Sequence, residues 1–448
     1  MNSHSAASFL PEHLRKKIGD ARKLCVAFSG GLDSTVLLAG LVELRDTLRP
    51  EIQLRALHVH HGLSQFADSW VAHCHKFCLC HDIAFSVAYV QLNAQDGGVE
   101  AAARTARYQV FSDSLANDEV LLTAQHLNDQ CETFMLALKR GSGPAGLSAM
   151  SADSLTPRYR LLRPLLELSR AQLEDYAGQH HLSWIEDDSN QDVRFDRNFL
   201  RLDILPALYQ RWPHFAEATA RSAALCAEQE SLLDELLSEC LSGLTDSQGS
   251  LALEGLLYVS AAKRSALLRR WLAACGAKMP SREQLQMIWN EVALSREDAQ
   301  AQLRLGALTV RRFRQRLYLL PEFQPLKDLV LAWDPAKILT LPDGLGFLAV
   351  DTAVGETSEH SRFRQPRPGE IVTIRFQAQG NIEKVGRDRA RQAKKLWSEL
   401  GVPPWQRDRI PLIYYNETLI AAPGWFITRQ AVAENNEAQW QVIWSVVQ

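Results

Sequence analysis

Apolar and polar positions in the first half of this chain alternate in a way that predicts strands followed by helices. Residues 24–28, Leu-Cys-Val-Ala-Phe, form a short apolar run that reads as a buried strand. A helical pattern covers 34–45, a second strand 54–59 and a second helix 68–81. A third strand is expected over 83–92, then a helix over 100–117, a strand over 120–124 and a helix over 129–140. Further helices are expected over 169–180 and 199–212. Strands that alternate with helices imply a parallel sheet covered on both faces. The pattern changes near Pro213. Long amphipathic helices are expected over 215–240, 263–275 and 281–294, the last opened by a capping-box arrangement of Ser281 and Gln284. Strand-like segments follow over 302–305 and 308–320. From about Val330 short strands such as 371–376 mix with a helix over 389–400 and a proline-rich turn over 402–405. The expectation is an α/β domain over 1–217, a mainly helical domain over 218–325 and a small α+β domain over 326–448.

The composition agrees with several packed domains. The chain has 448 residues, 46% hydrophobic and 23% charged, which excludes collagen-like and disordered classes. No window approaches the roughly 18 uninterrupted apolar residues of a membrane helix, so no membrane partner is expected. The first twenty residues lack the apolar core of a signal peptide. Eight cysteines form no CxxC pair and read as reduced thiols of a cytoplasmic protein. The net charge of −3 conceals a separation along the chain. Residues 1–217 sum to −5, whereas residues 362–409 sum to +7.

The most informative stretch is Ser29-Gly30-Gly31-Leu32-Asp33-Ser34, set between a strand and a helix. Glycines there let successive N–H groups converge on an anion, and the helix N-terminus adds its dipole. The hydroxyls of Ser29 and Ser34 supply further donors. Asp33 would repel phosphate unless a cation lay between them, which implies Mg²⁺. An ordinary strand-to-helix turn is the plainer alternative, but the whole hexapeptide in this setting argues against it. A second glycine pattern, Gly141 to Gly146, matches GxGxxG but follows a helix, and Pro144 is expected to spoil any turn into a new helix there. The hexapeptide resembles that of the PP-loop ATP pyrophosphatases, and the resemblance implies ATP cleaved between its α and β phosphates.

Other segments narrow the choice. They are His58-Val59-His60-His61-Gly62-Leu63, the run 123–133 containing His126-Leu127-Asn128-Asp129-Gln130-Cys131-Glu132, Lys139-Arg140-Gly141-Ser142-Gly143, Arg163-Pro164-Leu165-Leu166, the run 184–190, Arg197-Asn198-Phe199-Leu200-Arg201 and Gly401-Val402-Pro403-Pro404-Trp405. Together they resemble the long bacterial form of the tRNA(Ile)-lysidine synthases over nearly the whole chain. The resemblance implies that ATP adenylates C2 of the wobble cytidine in a CAU-anticodon tRNA(Ile) and that free L-lysine then displaces AMP. The nucleotide-site candidates are Ser29, Gly30, Gly31, Leu32, Asp33 and Ser34, with His60, which alternates with His58 and His61 at a strand end, near the adenine or the base. Asp33, His126, Asp129, Glu132 and Arg140 are the catalytic candidates, with Asp33 and Asp129 as Mg²⁺ ligands and Arg140 on pyrophosphate. Asp129 and Glu132 share a helix face by their spacing, where they are candidates to hold Mg²⁺ or the lysine ammonium. The alternative is that they only cap a helix N-terminus. One departure stands out. The family usually carries two successive carboxylates where this chain has Asn128-Asp129, so one charge is missing.

The remaining clusters divide between structure and RNA. His73, Cys74, His75, Cys78, Cys80 and His81 crowd together but match no zinc spacing, and buried cysteine is an ordinary small hydrophobe. Candidate tRNA contacts are Arg197, Arg201, Arg387, Arg391, Lys394, Lys395 and Arg407, with a second basic cluster at Arg311, Arg312, Arg314 and Arg316. A tRNA-thiolating enzyme of the same class and a non-catalytic RNA-binding protein remain the rival readings. The sequence does not give the oligomeric state, and a homodimer stays open.

Overall fold

A computed structural model describes residues 9–62, 64, 66–91, 99–296, 299–351, 362–387, 389–434 and 437–445. The chain forms two compact units, divided between Leu236 and Leu237. In the first, the elements run α1 (Phe9–Ile18), β1 (Lys23–Ala27), α2 (Leu32–Thr47), β2 (Gln53–His60), α3 (Ala67–Cys80), β3 (Ala84–Tyr89), α4 (Val99–Ser114), β4 (Val120–Leu122) and α5 (Leu127–Lys139). They continue with α6 (Pro144–Leu147), β5 (Asp153–Leu155), β6 (Arg160–Leu162), α7 (Arg170–Gln179), α8 (Asp196–Phe199), a π-helical turn Leu200–Ile204 and α9 (Leu205–Arg211).

The six strands lie in the order β3-β2-β1-β4-β6-β5. All neighbours are parallel except β5, which closes the edge antiparallel to β6. Alternate side chains of β1 feed the two faces. Leu24 and Val26 join a core with Leu10 and Leu14 of α1, Val36 and Leu37 of α2, Cys74 and Cys78 of α3, and Leu173 and Tyr176 of α7. Cys25 points the other way, with Leu57, Leu121, Leu161 and Phe111 of α4. The strand order reverses between β1 and β4. That is the switch point at which the carboxyl ends of neighbouring strands open a crevice for ligands.

Several expectations are adjusted in detail. Leu92, at the end of the third expected strand, lies outside the described residues. The helix expected over 199–212 is divided, because the turn Leu200–Ile204 is π-helical before α9 resumes with Pro206 in its first turn. Pro144 does not prevent a helix: it opens α6, since proline tolerates the first helical turn, where its missing N–H is not needed. The strands β5 and β6 were too short for their periodicity to be read.

The second unit carries a four-stranded antiparallel sheet in the order Leu251–Ala252, Arg316–Pro321, Leu308–Phe313, Gln302–Leu305. The expected strand over 308–320 is therefore a hairpin, turned at Arg314 with φ +52°. Helices Ala261–Ala274 and Arg282–Met287 pack Leu267, Leu268, Trp271, Leu272 and Leu285 on it. A five-stranded sheet further on is centred on Leu412–Tyr415. The basic cluster at 311–316 makes extensive contacts within its own unit. Arg316 bonds the carbonyls of Ser250 at 2.6 Å and Leu244 at 3.2 Å. Arg312 bonds those of Ala293 and Ser295, and Arg314 that of Ser398. Arg311 lies over the Trp405 ring, which also meets Phe313 and Tyr318. Among the described residues no helix is long and apolar enough to cross a membrane.

The packing of α1 on α2 depends on Gly40, because a Cβ there would lie 2.7 Å from Leu10 Cδ2 and 2.8 Å from Leu14 Cδ1. Gly40→Val is expected to cost about 1–3 kcal/mol through overpacking. Urea unfolding followed by tryptophan fluorescence should show a lower midpoint for the first unit, and an unchanged midpoint would refute the close approach.

Candidate active site

The loop between β1 and α2 is shaped by what lies beneath it. Gly30 sits at φ +85°, and a Cβ there would fall 2.6 Å from Ile185 Cδ1 and 2.8 Å from Cys74 Sγ. No L side chain fits such a slot in such a conformation. The Ile185 N–H bonds the Gly30 carbonyl at 2.9 Å, so the segment around Ile185 fixes the loop. His58, buried at the end of β2, bonds the Phe28 carbonyl through Nδ1 at 2.9 Å. Within the loop, Ser29 Oγ and Ser34 Oγ are 3.1 Å apart, and Ser34 Oγ donates to the Gly31 carbonyl at 3.1 Å. Gly31 is the N-cap of α2 without a side-chain cap, and Leu32 and Asp33 open its first turn. The loop therefore offers free N–H groups and a helix dipole at one point.

The end of β4 brings a second set of groups to the same crevice. His126 caps α5, with its Nδ1 accepting the Asn128 N–H at 3.2 Å, while Asp129 Oδ2 accepts the His126 N–H at 3.1 Å. Since Nδ1 accepts, the imidazole proton sits on Nε2. That nitrogen lies 3.7 Å from Asp33 Oδ1 and 3.5 Å from Asp129 Oδ2. The histidine thus brings the carboxylates of the two expected motifs to one ring. Asp129 does cap its helix, as the plainer reading held, but its other oxygen accepts from Arg201 Nη2 at 3.1 Å.

Arg201 also grips Glu132 with both ends of its fork, Nε to Oε1 at 2.7 Å and Nη2 to Oε2 at 3.0 Å. Glu132 is fully buried, and burial pushes its carboxyl up against the downward pull of Arg201. Burial also raises the Asp33 carboxyl, opposed by His126 and Arg170. Arg170, which the sequence reading missed, donates from Nη1 to Asp33 Oδ1 at 3.0 Å. It stands at the start of α7, with no motif spacing to announce it.

The structure places the remaining candidates as follows. Arg197 and Arg201, the candidate contacts to tRNA phosphates or ATP, both turn toward α5, where the buried carboxylate of Glu132 draws them. Arg197 bonds Thr133 Oγ1 at 3.1 Å and lies 3.7 Å from Glu132. Arg140 caps the far end of α5, about 20 Å along the helix from His126 at 1.5 Å per residue, so it stands away from the loop. His60 lies against Asp68 at 3.3 Å and meets the Tyr89 ring at a tilt, with centroids 4.9 Å apart, at the end of β2.

The basic face expected near the C-terminus is smaller than its charge count. Arg387 and Arg391 precede the helix Ala393–Glu399, and both are drawn to Glu399. Arg407 bonds the Val402 carbonyl at 3.1 Å, and burial pushes its guanidinium down. Lys394 and Lys395 are exposed on that helix and have no ion-pair partner among the described residues.

Comparison with known proteins places these elements in a family. A PP-loop domain matches residues 3–208, a TilS substrate binding domain 251–318, and a TilS substrate C-terminal domain 372–444. The tRNA(Ile)-lysidine synthase of Serratia proteamaculans is 59% identical over 97% of this chain and 98% of its own. That of Edwardsiella ictaluri is 56% identical over 97% and 98%. Among solved structures, the U34-tRNA thiolase NcsA of Methanococcus maripaludis aligns at a TM-score of 0.43 and 17% identity, covering 49% of this chain and 79% of that one.

Removing Arg201 would leave Glu132 buried without its main partner. Arg201→Ala is expected to destabilise the chain by roughly 1–3 kcal/mol, discounted from the value for a fully buried pair because Arg201 is partly exposed. Glu132 has a folded pKa above its unfolded one, so its ionisation opposes folding as pH rises through the folded value. The variant's loss should be larger at pH 8 than at pH 5 in chemical denaturation. An equal loss at both pH values would show that Arg201 does not hold the ionised carboxylate.

Proposed function

Since this chain belongs to the tRNA(Ile)-lysidine synthase family and carries out ATP-dependent tRNA modification, we propose the following division of labour at the β1–β4 crevice. The N–H groups and hydroxyls of Ser29, Gly30, Gly31, Leu32 and Ser34 take the phosphates of ATP, and His60 lies on the side of the nucleoside. The C2 carbonyl oxygen of the wobble cytidine attacks the α-phosphorus, pyrophosphate leaves, and an adenylated base results. The amine of free lysine then attacks C2, its proton passes to a carboxylate, and AMP leaves with the electron pair of the broken C–O bond. What supports this reading most directly is one juxtaposition: Asp33 of the loop and Asp129 of α5 meet at the ring of His126.

The residues also fit Mg²⁺. Asp33 and Asp129 present hard carboxylate oxygens near the loop, and one or two carboxylates completed by phosphates and water suit this ion. No cluster of three or more acidic, histidine or cysteine ligands occurs among the described residues, so substrate oxygens would have to complete the shell. Bound there, the ion would offset phosphate charge as pyrophosphate departs. Asp129 orients the lysine ammonium, while the buried Glu132 holds Arg201 beside it. His126 has its one ring acceptor occupied by the Asn128 N–H, so the carboxylates rather than the imidazole are the proton acceptors in reach. The exposed pair Lys394 and Lys395 holds the tRNA backbone. Eight cysteines, all unpaired, suit the reducing cytoplasm.

AMP formation from ATP should require CAU-anticodon tRNA and rise sharply when lysine is added. Lysine-independent turnover with sulfur entering the tRNA would favour the thiolation reading. Lys394→Glu combined with Lys395→Glu should weaken tRNA binding about 10-fold or more at low salt and flatten its salt dependence, since each phosphate contact adds about 0.7–0.9 to the slope. Affinity equal to that of the parent chain would remove this helix from the tRNA surface.

A further inference from the structure

The side chain of Asn128 has a specific task in this structure. Its Oδ1 accepts the backbone N–H of Arg170 at 3.0 Å, across 42 positions of sequence. That N–H is one of the orphan donors of α7. The cap of α7 does not serve it, because Ser169 Oγ takes the Gln172 N–H and Gln172 Oε1 takes the Ser169 N–H. One residue before Asn128, the Leu127 N–H bonds the Leu168 carbonyl at 2.8 Å. These two bonds join the start of α5 to the start of α7.

The junction sets the direction of one cation. Arg170 is the first residue of α7, and its guanidinium bonds Glu174 Oε1 through Nε at 2.8 Å and Asp33 Oδ1 through Nη1 at 3.0 Å. Its side chain is 40% exposed, so a ligand in the loop can reach it. Asp33 sits in the first turn of α2, beside the N–H groups offered to phosphate. A guanidinium is the side chain best matched to phosphate oxygens, and this one is held within a single hydrogen bond of the phosphate loop.

Building on the ATP reading above, we propose that Arg170 is a phosphate-binding residue of this site and that Asn128 is the residue that positions it. When the triphosphate enters, the Arg170 fork exchanges Asp33 for phosphate oxygens, and Asp33 is released to face a cation. The contact from Asn128 to Arg170 needs only an acceptor oxygen. Asparagine supplies that as well as aspartate does. The missing charge at position 128 therefore does not remove the function of this junction.

The test uses the full-length protein and titrates a non-hydrolysable ATP analogue by calorimetry, with tRNA affinity measured alongside. Arg170→Ala should weaken analogue binding about 10-fold or more, the scale of a lost charge-assisted contact, and leave tRNA affinity unchanged. Asn128→Ala should weaken it in the same direction, and Asn128→Asp should rescue it. In the Arg170→Ala background, Asn128→Ala should add little, because the two act through one contact. Analogue affinity within twofold of the parent for Arg170→Ala would overturn the proposal. So would an undiminished Asn128→Ala effect in that background, which would show a purely structural role. A parent chain that binds no analogue at all would overturn the ATP reading with it, so the two failures are distinguishable.

Discussion

Glu132 is fully buried on α5, and an isolated carboxylate cannot stay ionised there without a partner. Much of the surrounding architecture answers that constraint. The chain after Asp196 coils against α5, widens into a π-helical turn and delivers Arg201 with its fork spread over Glu132 and Asp129. Such turns recur at functional sites because they re-aim a side chain that regular helix would point elsewhere. Arg197 approaches the same carboxylate from the preceding turn. The acids are thereby held in place by Arg201 and shielded from water. Desolvation strengthens their pull on any ammonium or metal ion that enters.

The same reasoning separates what the sequence made legible from what it hid. The strand-loop-helix at 24–45 was readable because an apolar run, two glycines and two serines each have a local meaning, and the structure keeps them together. His126, Asp129 and Glu132 were readable as a group because helical spacing fixes their common face. Arg201 was assigned to RNA, since nothing local reveals that a buried glutamate 69 positions earlier awaits it. Arg170 was missed for the same reason: its partners, Asn128 and Asp33, come from other elements. The short strands β5 and β6 carry three residues each, too few for period-two patterning to register. The hairpin of 308–320 read as one strand because its turn at Arg314 and Gln315 contains no glycine.

Charge counting shows a similar limit. The stretch 362–409 carries an excess of +7, yet several of its cations are committed within the unit. Arg364 pairs with Glu370, Arg375 with Glu417, Arg387 with Glu399 and Arg409 with Asp343. Formal charge describes the far field of a segment, whereas phosphate contact needs cations that are not already hydrogen-bonded to carboxylates. By that measure the helix Ala393–Glu399 outweighs the arginines around it.

The bond between Ile185 and Gly30 has a mechanical corollary. The chain leaves that bond and, sixteen residues on, ends in the fork of Arg201 on Glu132 and Asp129. It is a strap pinned at both ends, one on the nucleotide loop and one on the acid pair. The segment between them links the loop after β1 to the carboxylates of α5. A strain that shifts either anchor is transmitted to the other along a single covalent tether.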